Sequence, residues 1–225
     1  MNKPIQKNLS NSQRAAGALR DLIFSGELSA GSDHLESELA VRLGMSRTPV
    51  REAVLVLESQ GLLEVRPRKG VRILPISPDD MREVYEVLTV LESLAATNAA
   101  TANYSDDQLA ALNNAIEQMD AAIQQDDRLA WAKADDQFHR ELVRLGGNKR
   151  VIEIAERMSD QVRRARAVTL FMRPKPTKSN EDHRAVFNAI RNGNPEEAGD
   201  RHRQHREHAK DELVGLLTKF RLSRI

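Results

Sequence analysis

The sequence predicts a mainly α protein: an N-terminal winged helix-turn-helix followed by an all-α antiparallel helical bundle. Three observations carry this. Apolar residues recur at spacings of three and four through most of the 225 residues, and aromatic residues make up only 4% of them. Residues 62–74 switch to alternating character around a Pro/Gly turn, the pattern of a hairpin. The run Pro75-Ile76-Ser77-Pro78 then reads as a linker between two parts of different charge. Residues 1–76 hold 11 Lys+Arg against 8 Asp+Glu, a net of +3, and the remaining 149 hold 23 against 25, a net of −2. The expected organisation is a flexible N-terminus over 1–11, a winged helix-turn-helix over 12–76 and a helical domain over 77–225.

Composition narrows the setting. With no cysteine there is neither a disulfide framework nor a thiolate metal site. No apolar run approaches the roughly 18 residues of a membrane span, and residues 1–13 contain no apolar segment of a secretory signal. The expectation is a cytoplasmic protein without membrane contact.

Each N-terminal element has a local reason. In residues 12–26, Ala15, Ala16, Leu19, Leu22 and Ile23 share one helix face, and Gly26 stops the helix. A loop with Gly31 follows. Residues 36–43 form a short helix with Leu39, Ala40 and Leu43 inward, and Gly44 makes the turn. Ser46 stands at an N-cap, and Pro49 falls in the first turn, where proline is tolerated. In the helix that runs from there to about Gln60, Val50, Ala53, Val54 and Leu57 face the core, with Arg47, Thr48 and Arg51 on the other side. Gly61 closes that helix. The hairpin after it has a basic tip, Pro67-Arg68-Lys69-Gly70. Either arginine alone fits a solvated face. Together with the glycine turn, the cap and the basic hairpin, they read as a recognition helix for the major groove and a wing for the backbone.

Helix signals fill the rest, giving helices at 78–103, 106–125, 127–145, 149–172, 178–192 and 195–220. Ser77 caps the first, with Pro78 at N1 and Asp79 and Asp80 in its first turn. Ser105 to Gln108 is a capping box. Pro174 and Pro176 interrupt between the fourth and fifth, and Asn194-Pro195 starts the last.

Five of the six histidines lie in this helical part. Asp135 and His139 are four apart and share a face; His183 and His205 lie on later helices. Three helices can aim these four side chains at one point, an N3O donor set suited to a divalent transition metal such as zinc or nickel. His202 and His208, one turn either side of His205, are second choices. The competing reading is a set of solvated helix faces.

Two runs of residues carry a family resemblance. Ile23 to Leu28, Leu35 to Gly44, Ser46 to Ala53, Gly61 to Leu63 and Arg68 to Gly70 resemble the DNA-binding domain of the GntR family of bacterial regulators. That resemblance implies operator contacts from Arg47, Thr48 and Arg51, and a DNA-facing set comprising Ser46, Pro49, Arg68, Lys69 and Gly70 as well. Asp135 to Leu142, Gly147-Asn148 and Glu181 to Ile190 resemble the FCD effector domain of the FadR subfamily. That implies metal ligation by Asp135, His139, His183 and His205. It also implies a homodimer on a pseudo-palindromic operator, acting as a repressor controlled by a small organic acid bound near the metal. One position departs from the pattern: Leu88 stands where many members carry an arginine that pairs with the acid. Arg163 and Arg166, on the helix at 149–172, are candidate replacements, with a solvated helix face as the competing reading. The rival from another class is a metal-dependent hydrolase or lyase on a helical bundle, which leaves the winged helix without a role.

Overall fold

The computed structural model describes residues 9–220, so most of the segment expected to be flexible, 1–11, lies outside the described residues. The described chain divides between Pro75 and Ile76 into two compact units.

The first unit opens with α1 (Asn11–Phe24), one residue earlier than expected because Ser10 and Gln13 form a capping box ahead of it. Next come α2 (Glu36–Leu43) and α3 (Arg47–Ser59). Gly44 between them has a φ of 62°, a left-handed turn that glycine adopts without strain. Ala15, Leu19, Leu39, Val50, Val54 and Leu57 are fully or almost fully buried, so the apolar faces read from the sequence do form the core.

Strands β2 (Leu63–Arg66) and β3 (Gly70–Ile73) make the expected hairpin. A third strand, β1 (Asp33–His34), was not expected, since two residues are too few to show a period. It pairs antiparallel with β3, Asp33 opposite Arg72 and His34 opposite Val71, giving the order β1-β3-β2. Gly70 is fixed by this edge: a Cβ there would lie 2.3 Å from the His34 carbonyl oxygen.

The second unit consists, among the described residues, of six α-helices. They are α4 (Pro78–Thr101), α5 (Asp106–Gln124), α6 (Arg128–Leu145), α7 (Lys149–Thr169), α8 (Thr177–Arg191) and α9 (Pro195–Lys219). Side chains of Ser77, Ser105, Asp127, Asn148 and Asn194 cap five of them. The helix expected to reach 172 ends at Thr169 and tightens into a 3₁₀ turn, Leu170–Met172. Pro174 disfavours helical backbone at the residue before it, and Arg173 is extended there.

The long helix α4 packs along α9 and also touches α6, α7 and α8. Gly146 lets the end of α6 approach it closely, because a Cβ there would meet the Ala95 Cα at 2.6 Å. One apolar cluster gathers around Phe138, Leu112, Met119 and Trp131, another around Tyr85, Leu88, Leu213 and Leu217. Along α4, Leu88 belongs to one cluster and Ala96 to the other, and the buried Glu92 falls between them. No helix among the described residues is long and apolar enough to cross a membrane.

Candidate metal centre and nucleic-acid interface

In the first unit, Arg47, Thr48 and Arg51 are exposed on the outer face of α3, and Pro49 is half-buried at its first turn. Ser46 holds the N-cap position in extended backbone, yet its hydroxyl makes no cap hydrogen bond and remains exposed. The wing tip is a tight turn in which the Lys69 amide donates to the Arg66 carbonyl at 3.0 Å. Pro67 followed by Arg68 at a φ of 65° is the pattern of a type II turn. Arg68 and Lys69 are exposed there. Arg66, 3.3 Å from Asp33, ties the wing to β1. The face therefore presents two arginines one helical turn apart and a second basic point on a hairpin, an arrangement that can meet base edges and phosphates together.

In the second unit, α6, α8 and α9 bring His139, His183 and His205 together, with one donor atom of each within 4.8 Å of the others. The Nε2 atoms of His139 and His183 are 3.4 Å apart. Asp135 joins them: its Oδ1 is 3.5 Å from His183 Nε2 and its Oδ2 is 3.9 Å from His139 Nε2. All four side chains are buried. His202 is buried too but turns to Glu92, 3.3 Å away, whereas His208 is exposed.

Asp135 lies against a cation as well. Arg166 Nη1 is 2.5 Å from its Oδ2, a close ion pair to a wholly buried carboxylate. Burial alone would raise the Asp135 carboxyl; the Arg166 guanidinium, foremost, overcomes this and holds it well below the usual carboxylate range. Arg166 in turn is held above its ordinary value, because Asp135 outweighs the cost of burying the guanidinium.

A second layer of carboxylates flanks the imidazoles. Glu92 Oε2 is 3.0 Å from His139 Nδ1, and Asp182 Oδ2 is 3.8 Å from His205 Nδ1. A carboxylate beside Nδ1 favours the proton on that nitrogen and leaves the Nε2 lone pair free, the tautomer a metal needs. His205 Nε2 is buried without a hydrogen-bond partner. Burial depresses His139, His183 and His205, and draws His202 down to about 4, which favours the neutral imidazoles. Burial would raise the Glu92 carboxyl; Arg206, 3.3 Å away, overcomes this and holds it well below its ordinary value. Orphaned buried donors, neutral imidazoles and an ionised carboxylate fit a divalent cation held by Asp135, His139, His183 and His205.

Beside the cluster lies a cavity of about 120 Å³, and His205 belongs to both. Its wall includes Trp131, Arg128, Arg166 and Arg173. Of the two arginines suggested by the sequence, Arg166 reaches this cavity and Arg163 does not line it; Arg163 pairs with Asp160 at 3.1 Å and Asp136 at 3.3 Å. Leu88 is wholly buried in the apolar cluster around Tyr85. Glu92, Asp182, Arg173 and Arg206 escaped the sequence reading. For Glu92 a signal existed, a lone carboxylate four residues after Leu88 and three before Ala95 on an apolar face.

A winged helix with an exposed basic face, followed by a helical unit with a buried donor cluster, marks the class of DNA-binding transcription regulators. Residues 11–73 match the bacterial regulatory proteins of the gntR family, and residues 83–208 match the FCD domain. The chain belongs to the GntR family, with an FCD domain as its second part. It is 32% identical over 185 residues to a probable D-xylose utilization operon transcriptional repressor of Paenarthrobacter nicotinovorans, covering 80% of each chain. An HTH-type transcriptional regulator of Agrobacterium vitis shares 41% identity over 128 residues, 56% of this chain and 75% of that one. A solved GntR regulator from Rhodococcus sp. RHA1 superposes with a TM-score of 0.74 at 25% identity, covering 92% of this chain and 99% of the other. This family consists of transcription regulators, so the rival reading as a hydrolase or lyase falls.

Proposed function

We propose that this chain is a metabolite-controlled repressor of the bacterial cytoplasm, in which a metal centre and its adjoining cavity form the effector site. Two copies pair as a homodimer on a pseudo-palindromic operator, each contributing one winged helix over residues 12–76 and one helical domain over 77–225. Arg47, Thr48 and Arg51 read the major groove; Ser46, Pro49, Arg68, Lys69 and the Gly70 turn lie along the backbone. Repression is the sense taken from the relative described as a probable operon repressor.

The observation that carries the effector reading is that His205 is shared between the buried donor cluster and the cation-lined cavity. Zinc or nickel, held by Asp135, His139, His183 and His205, would supply a Lewis-acidic position for an oxygen of a small organic acid. The residues around it have separate tasks. Glu92 and Asp182 orient imidazoles, Arg166 faces Asp135 on one side and the cavity on the other, and Trp131 gives the cavity an apolar wall with Arg166 Cζ 5.7 Å from its ring centroid. Arg163, away from the cavity wall, has no part in this reading.

The test is a fluorescence anisotropy titration of a labelled operator with metal-loaded and chelator-stripped protein, with and without carboxylic acids. Effector coupling in such systems is typically about 1–3 kcal/mol, a 5–150-fold change in operator affinity. Operator affinity indifferent to metal and to every acid would leave a DNA-binding protein without a sensor.

A further inference from the structure

We propose that Arg166 and Arg173 form the carboxylate clamp of the cavity, and that its ligand is a short hydroxylated monocarboxylate. This rests on the reading of the helical domain as the effector site and names its specificity-determining residues.

Arg173 is the key residue. It lies just after the 3₁₀ turn and lines the cavity. Its Nε donates to Thr169 Oγ1 at 3.1 Å, which fixes the plane of the guanidinium. Its Nη2 is buried and has no hydrogen-bond partner. A buried, oriented, unsatisfied donor on a cavity wall calls for an acceptor from the ligand. Burial, and next the like charge of Arg166, push the Arg173 guanidinium down, and a bound anion relieves both. Arg128 holds the segment in place, donating from Nη1 to the carbonyls of Arg173 at 3.1 Å and Pro174 at 2.8 Å. Arg128 is thus a positioning residue, while Arg166 and Arg173 are the two forks that can take a planar carboxylate.

The other walls select what accompanies that carboxylate. Trp131, Leu170 and Ala209 give an apolar surface for a short carbon chain. Glu212 and Ser179 line the same cavity, and Lys178 is engaged by Asp182 at 2.7 Å. A carboxylate at Glu212 accepts a hydroxyl and repels a second negative charge. Inorganic phosphate has no apolar portion to meet the tryptophan. The volume of about 120 Å³ keeps the ligand short.

The experiment uses the full chain, metal-replete, with three acids of equal carbon number: glycerate, propionate and malonate. Isothermal titration calorimetry should rank glycerate first. Arg173→Gln should weaken glycerate at least tenfold with metal content unchanged, and Arg173→Lys should fall between, since charge remains but the fork is lost. Glu212→Gln should narrow the preference for glycerate over malonate at least tenfold. Thermal melts identify a variant that fails to fold, in which case Arg128→Gln, which removes both bonds to the carbonyls of Arg173 and Pro174, should still lower affinity by loosening the Arg173 segment. Glycerate affinity within twofold of wild type in a folded Arg173→Gln protein overturns the clamp, and an unchanged preference for glycerate over malonate in Glu212→Gln overturns the hydroxyl selection. If none of the three acids binds wild type or alters its operator affinity, the effector reading itself fails together with the clamp.

Discussion

At the residue scale the wing shows two opposite constraints side by side. Arg68 holds a φ of 65°, which an L-residue other than glycine adopts at a cost of about 1–2 kcal/mol. Glycine would sit there freely, so a substitution to glycine isolates the contribution of the side chain. Arg68→Gly should leave stability within about 1 kcal/mol of wild type. It should also lower operator affinity on all sequences and reduce the salt slope by about one contact. A salt-series anisotropy titration with an unchanged slope would remove Arg68 from the interface. Gly70 is the reverse case, with a φ of 87° and the His34 carbonyl where a Cβ would go. Gly70→Ala should destabilise the unit by more than about 2 kcal/mol in a thermal melt, through strain and collision together. On α3, Arg51→Ala should cost roughly 1–3 kcal/mol of operator binding and relax the sequence preference at one base pair. A selection from randomised operators that returns the wild-type preference would show that Arg51 reads no base.

At the scale of the element, the starts of the helices were legible because their signals are local. Ser77-Pro78, Ser105 to Gln108 and Asn194-Pro195 each set a helix start within a few residues, and those starts fell where they were read. The contents of the site were legible only in part. Asp135 and His139 share a helix turn, so their joint direction follows from spacing. In α9, the buried residues Gly199, His202, His205, Arg206, Leu213 and Leu217 keep one helical register, and extending it back from Leu213 separates inward His202 and His205 from outward His208. What faces that register cannot be read from α9 itself. Glu92 meets Arg206 and His202 only because α4 packs along α9, and Arg173 reaches the cavity only because two prolines end the helix before it. The element scale also sets the energetic role of Glu92. Glu92→Gln would leave Arg206 buried without its counter-ion, a change worth about 3–5 kcal/mol. For a protein of this size that is a fall in Tm of roughly 6–20 °C. His183→Ala acts differently. In wild type, metal at 100 times its Kd should add about 2.7 kcal/mol, a rise of roughly 5–10 °C. The variant should show neither that rise nor bound metal by elemental analysis, and equal metal in both proteins would remove His183 from the ligand set.

At the scale of the whole molecule, a single chain offers one recognition helix, and an operator with two half-sites requires a partner. Nothing in helix periodicity names that partner, because a surface that pairs with its own copy looks in sequence like any partly apolar face. The structure narrows the choice on α4. Its inner face is used up by the two apolar clusters, yet Val87, Val90 and Leu94 lie exposed on the outer side at helical spacing, Val90 at 67%. A contiguous apolar stripe on a charged protein is stabilised by being covered, and a two-fold contact would set the α4 of one protomer against its partner. Val90→Glu should then place like charges near the symmetry axis and separate the protomers without touching either core, so light scattering after gel filtration should report a monomer with an unchanged helical circular dichroism spectrum. Such a monomer still holds Arg47 and Arg51, so its affinity for an isolated half-site should match that of wild type. Its affinity for the full operator should fall to the half-site value, because the second winged helix no longer binds at the effective concentration set by the first. A Val90→Glu protein that remains dimeric and binds the full operator as wild type does would place the pairing surface on another face of the molecule.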